Sequence, residues 1–175
     1  MLRAREPKLL SNEKAERMLD AAAFEDAAKL LTDCGYPDMS AMSAGEIEET
    51  LAAHRSAIFD ELGKMVPDSA LTDIFKLKYD YHNAKSLLKA VATNTDAQHM
   101  LIDAGRVPAA VLTASVNEDS CSALPDAFAR AVAEARSVLS ATGDPQRSDF
   151  LLDRAYFAEM LAAAESSGSE FLLGY

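Results

Sequence analysis

Apolar positions along the chain recur at helical rather than alternating spacing almost everywhere, and no run of Val, Ile and Thr reads as a strand. The pattern predicts an all-α fold. Residues 2 to about 10 read as a first helical stretch, interrupted by Ser11 and Asn12. Ala15, Met18 and Leu19 then form a stripe that restarts at Phe24, Ala27, Ala28 and Leu31 and ends at Gly35 as a C′ residue. After a loop over 36–40, Ser43 and Glu46 have capping-box spacing ahead of Ile47, Leu51, Ile58 and Leu62. That predicts a long helix stopped near Pro67.

A second long helix is expected from Asp68 or Ser69 to about Thr93, with Leu71, Ile74, Leu77, Tyr81, Ala84, Leu88 and Val91 on one side. Shorter helical pieces follow at 96–104, ending at Gly105, and at 108–115, with Pro108 in the first helical position. Residues 116–124 are the most loop-like stretch and the candidate hinge. Pro125 opens another helix to about Thr142, closed by Gly143. Asp144 and Pro145 open the next, which carries Phe150, Leu151, Ala155, Met160 and Leu161 and ends near Gly168. The expectation is a bundle of about seven to nine helices arranged as successive hairpins. Residues 1–115 form its N-terminal part, 116–124 a hinge and 125–175 a second helical segment. From Ser169 to Tyr175 the pattern is a cap and the first apolar turn of a further helix, which reads as a chain cut from a longer polypeptide.

Composition narrows the function classes. With 175 residues, 49% hydrophobic and 26% charged, and only 7 Gly and 6 Pro, the chain falls outside the disordered and low-complexity classes. Lys and Arg number 17 against 28 Asp and Glu, a net charge of −11 with no basic block. Such a surface repels phosphate backbones and anionic lipid, so neither nucleic acid nor a membrane surface is an expected partner, whereas a basic protein is. No stretch approaches the ~20 apolar residues of a membrane span, and the first residues lack the apolar core of a secretory signal. A cytoplasmic chain with Cys34 and Cys121 reduced is the simplest reading.

Signatures of catalysis do not appear: there is no phosphate loop, GxGxxG, HExxH, GxSxG or EF-hand spacing. His54, His82 and His99 are too far apart to form a local ligand motif, and the acids Glu46, Glu48 and Glu49 sit in a first helical turn, where carboxylates are stabilising in any case. No catalytic, cofactor or metal residue is assigned. The informative stretch is 74–90. At about 100° per residue, Asp80 falls inside the apolar arc of Leu77, Tyr81, Ala84, Leu87, Leu88 and Val91. A carboxylate aimed at an apolar seam needs donors, and Lys76 and Asn83 lie on its flank, about one turn away on either side. Asp80 reads as a clamp that fixes a neighbouring helix, with a proton or metal site as the alternative. Asp149 and Asp153, one turn apart, have the spacing of a metal pair, but acids near a helix N-terminus are favoured by the macrodipole in any case, and that is the simpler reading.

The segment Lys76-Leu77-Lys78-Tyr79-Asp80-Tyr81-His82-Asn83-Ala84-Lys85 resembles a distinctive helix of the central-stalk subunits of V-type and archaeal or bacterial A-type ATPases, designated C in prokaryotes and d in eukaryotes. Leu30-Leu31-Thr32-Asp33-Cys34-Gly35-Tyr36 is similar to that family's early turn. Asp153-Arg154-Ala155-Tyr156-Phe157, with Gly168, Phe171, Leu172 and Tyr175, is similar to a later run. The resemblance spans essentially the whole chain, in a family whose members are roughly twice as long. It implies related helical-bundle units that build a funnel, and a non-catalytic role, without cofactor or metal, between the membrane ring of proteolipid subunits and the central shaft. It would place the chain at the membrane only through the complex. It also implies that Lys76, Asp80, Asn83 and Lys85 are helix-packing positions. A cytosolic helical adaptor is the competing reading, and a metal-dependent enzyme built on Asp80, Asp149 and Asp153 a third.

Overall fold

The structure, a computed structural model, describes residues 6–66 and 68–174. Among them are eight α-helices and no strand. They are α1 (Asn12–Leu19), α2 (Phe24–Thr32), α3 (Ala44–Met65), α4 (Ala70–Thr93), α5 (Ala109–Asn117), α6 (Asp126–Thr142), α7 (Pro145–Ser167) and α8 (Glu170–Gly174). The all-α expectation holds, and the chain forms two compact units, residues 1–55 and 56–175. Residues 116–124 lie inside the second unit: Val116 and Asn117 are the last residues of α5, and the rest belong to the connection to α6.

Helix boundaries follow the caps written in the sequence. Ser43 Oγ and its N–H both meet Glu46 Oε2, at 2.7 and 2.8 Å, and Glu46 N–H returns to Ser43 Oγ at 3.4 Å, so the capping box forms ahead of α3. Asp144 accepts from Gln146 N–H at 3.0 Å with Pro145 in the first turn of α7. Gly143 and Gly168 close α6 and α7 at φ +65° and +63°, a backbone region that side chains disfavour. Tyr36 N–H reaches Leu31 C=O and Gly35 N–H reaches Thr32 C=O, which makes Gly35 the C′ residue after α2.

Some boundaries depart from the periodicity. Within the stretch expected at 2–10, the described residues form a 3-10 turn at Glu6–Lys8, after which Ser11 caps α1; residues 1–5 lie outside the described set. Pro67, the expected stop, is also outside it, and α3 ends at Met65. Pro108 and Pro125 stand immediately before their helices as N-caps. Residues 96–104 contain one 3-10 turn, Gln98–Met100, and no α-helix.

In the first unit α1 packs on α2 with Ala28, Cys34 and Met39 buried, and Tyr36 stacks on His54 at 4.2 Å between ring centres. The second unit is built around α4, which packs against α5, α6 and α7. Leu77, Tyr81, Ala84 and Leu88 of α4 join Leu112, Phe128, Val132, Ala135 and Leu152 in one continuous core, with Tyr81 edge-on to Phe128 at 4.9 Å. Val91, the last member of the expected α4 arc, is half exposed. On α7 the buried face is Ser148, Leu152 and Ala164, flanked by Leu151, Ala155 and Met160, while Phe150 and Leu161 point outward.

Candidate functional site: a polar lock on helix α4

Asp80 sits in the middle of α4 with no exposed surface. Leaving a carboxylate there unpaired would cost several kcal/mol, roughly, and two donors remove that penalty. Arg106 Nε donates to Oδ2 at 2.8 Å and the Val107 N–H donates to Oδ1 at 3.1 Å. Burial, the largest influence, lifts the Asp80 carboxyl above its ordinary range, and the guanidinium and the N–H pull it back.

Arg106 bridges onward, with Nη1 on Glu159 Oε1 at 2.7 Å, and Tyr81 Oη donates to Glu159 Oε2 at 2.8 Å. Burial alone would weaken the hold of Arg106 on its proton, but Glu159 and Asp80 outweigh it and raise its pKa. Burial and the adjoining Glu159 carboxylate push the Tyr81 phenol up as well. The chain Tyr81–Glu159–Arg106–Asp80 thus ties α4, α7 and the loop before α5 into one network.

Asn83, also fully buried, completes the hold on that loop. Its amide donates to Ile102 C=O and accepts from Ile102 N–H, both at 2.8 Å, the two-sided pairing of a strand neighbour. This explains why 96–104 is not a helix: Asn83 takes the backbone groups of Ile102 that a helical turn would need. His82 adds a contact to Met100 C=O at 3.1 Å. Gly105 lies against the carboxylate, and a Cβ there would stand 3.2 Å from Asp80 Cγ and overlap Oδ1 outright. Its φ is not positive, so space alone demands glycine.

A second set of pairs runs along α4 and α7. Lys89 meets Asp149 at 2.6 Å and Lys85 meets Asp153, so with Tyr81 and Glu159 the rungs descend α4 as they ascend α7. The two helices are therefore antiparallel.

Of the residues singled out in the sequence, the structure brings Asp80 and Asn83 to one loop and turns Lys85 to α7. Lys76 does not reach Asp80. It pairs with Asp73 at 3.3 Å and lies over the Phe59 ring, because one turn back along α4 points toward α3 rather than toward the buried carboxylate. Asp80, Asp149 and Asp153 do not converge, since each is held by its own cation, Arg106, Lys89 and Lys85. Among the described residues no three His, Cys, Asp or Glu side chains group as metal ligands would. Periodicity missed Gly105, Arg106 and Glu159. A signal for Arg106 exists, because it is the sole Lys or Arg between Lys89 and Arg130 and therefore the local candidate to neutralise a buried acid. Glu159 carries no such mark.

A family model described as "ATP synthase (C/AC39) subunit" matches residues 1–175. The C subunit of the V-type sodium ATPase of Enterococcus hirae is 25% identical over 174 residues, covering 99% of this chain and 53% of that protein. The chain thus spans about half the length of the curated relative it matches. No solved structure gives a significant match.

Proposed function

The chain belongs to the ATP synthase (C/AC39) subunit family, and from that premise we propose that it acts as a non-catalytic central-stalk connector of a V/A-type rotary ATPase. In this reading it joins the membrane ring of proteolipid subunits to the central shaft, so that proton or sodium movement is coupled to ATP synthesis or hydrolysis. The observation that carries the reading is the family match along the whole chain. The described helices suit a component attached to the membrane through partners, none being long and apolar enough to cross it.

The lock supports a mechanical role. Sliding α7 along α4 by one residue, about 1.5 Å, would misalign the Lys89–Asp149, Lys85–Asp153 and Tyr81–Glu159 pairs together. A connector that carries torque needs helices that resist such slip, and a buried network of charge-assisted hydrogen bonds fixes register. Asp80, Asn83 and Lys85 are assigned that packing role, with Lys76 supporting the α3 contact. Co-purification with the shaft and ring subunits tests the proposal. Capture of both supports a connector, and capture of neither removes it in favour of an adaptor with other partners.

A further inference from the structure

Between the last turns of α4, the loop at 95–103 and α5 lies a groove of about 700 Å³. Its lining includes the half-exposed Val91, the partly buried Leu101 and the exposed small residues Ala110 and Ala114, which let a partner's apolar side chains come close. Its charged lining residues are Asp96 and Asp103, both exposed and both acidic. Each uses Oδ1 to cap a local N–H, of Gln98 and Ala109 respectively, so the carboxylates are held at the rim rather than waving free. The C-terminal end of α4 adds partial negative charge there, with no basic residue in its last turn.

We propose that this groove receives a short basic loop of the proteolipid ring, its apolar residues against Val91, Leu101, Ala110 and Ala114 and its Lys or Arg at Asp96 and Asp103. The proposal rests on the connector reading above. Charge complementarity selects the occupant: the groove is apolar with an acidic rim on a chain of net charge −11, and the cytoplasmic loops of membrane proteins carry an excess of Lys and Arg.

The test is capture of the detergent-solubilised ring, and separately of the shaft subunits, by the 175-residue chain and two variants. Asp96→Asn with Asp103→Asn keeps both local caps while removing charge, and Ala110→Trp fills the groove. Circular dichroism and urea midpoints confirm that each variant folds. Ring capture is expected to fall about tenfold in either variant at low salt. The charge variant should also lose salt sensitivity, and shaft capture should stay unchanged. Undiminished ring capture by both folded variants would overturn the groove and leave the connector reading standing. Loss of shaft capture instead would overturn the ring as occupant. A dimer of the unaltered chain that Ala110→Trp abolishes would assign the groove to a second copy and overturn the proposal. If the unaltered chain captured neither partner, the connector reading would fall first and the groove with it.

Discussion

Replacing Gly105 by alanine probes the lock through a single methyl group. The new Cβ would overlap Asp80 Oδ1, and the carboxylate has no free direction of retreat, because Arg106 holds Oδ2 and the Val107 N–H holds Oδ1. Either the loop lifts away or Asp80 rotates off its donors. Both leave a carboxylate with no exposed surface facing fewer partners and the Arg106 guanidinium tied to Glu159 alone. Hydrogen bonds to charged groups contribute about 1.5–3 kcal/mol each, and breaking a buried ion pair costs about 3–5 kcal/mol. Because Asp80 keeps part of its contact if the loop shifts, the expected loss is about 3 kcal/mol. Urea unfolding should show the midpoint falling by about 1–2 M with an unchanged slope. The decisive comparison is a double-mutant cycle. With Asp80→Ala already in place the methyl meets only the Val107 carbonyl, at 3.3 Å, and Gly105→Ala should then cost no more than about 1 kcal/mol. A similar loss in both backgrounds, or a single variant as stable as the parent, would refute the steric reading of Gly105.

Asn83→Leu should destabilise by about 2–4 kcal/mol, since it strips the buried Ile102 N–H and C=O of their partner at once; hydrogen exchange should accelerate at Ile102 well before it does in α6. Tyr81 supplies a pH prediction. Its phenol is raised in the folded chain, so its contribution is complete below the unfolded value of about 10 and is lost as pH rises above it. Tyr81→Phe should therefore flatten the alkaline limb of stability against pH, and identical alkaline slopes in parent and variant would remove the assignment. Lys89→Ala should cost less than about 1 kcal/mol, because the Lys89–Asp149 pair is partly solvated, and the loss should shrink further in high salt on thermal melting.

Local structure in this protein is written in residue spacing. Caps such as Ser43 with Glu46 and Asp144 with Pro145, and stops such as Gly143 and Gly168, act within a few residues, so their effect is readable along the chain. The position of Asp80 inside an apolar arc was legible for the same reason: a helix's period fixes which residues share a face. Who satisfies that carboxylate was not legible. Lys76 is nearer in sequence, yet Arg106 and Val107 N–H, 26 and 27 residues away, supply the donors because the loop before α5 folds back over α4. The same long-range pairing unmade an expected helix at 96–104, as the Asn83 amide offered Ile102 better partners than a helical turn would. Of the apolar residues that the pattern places on α7, Phe150 and Leu161 point outward because α7 turns Leu152 and Ala164 inward where it packs on α4 and α6. Periodicity says that a helix has faces. Which face is buried, and which distant group meets a buried charge, is settled when the helices pack.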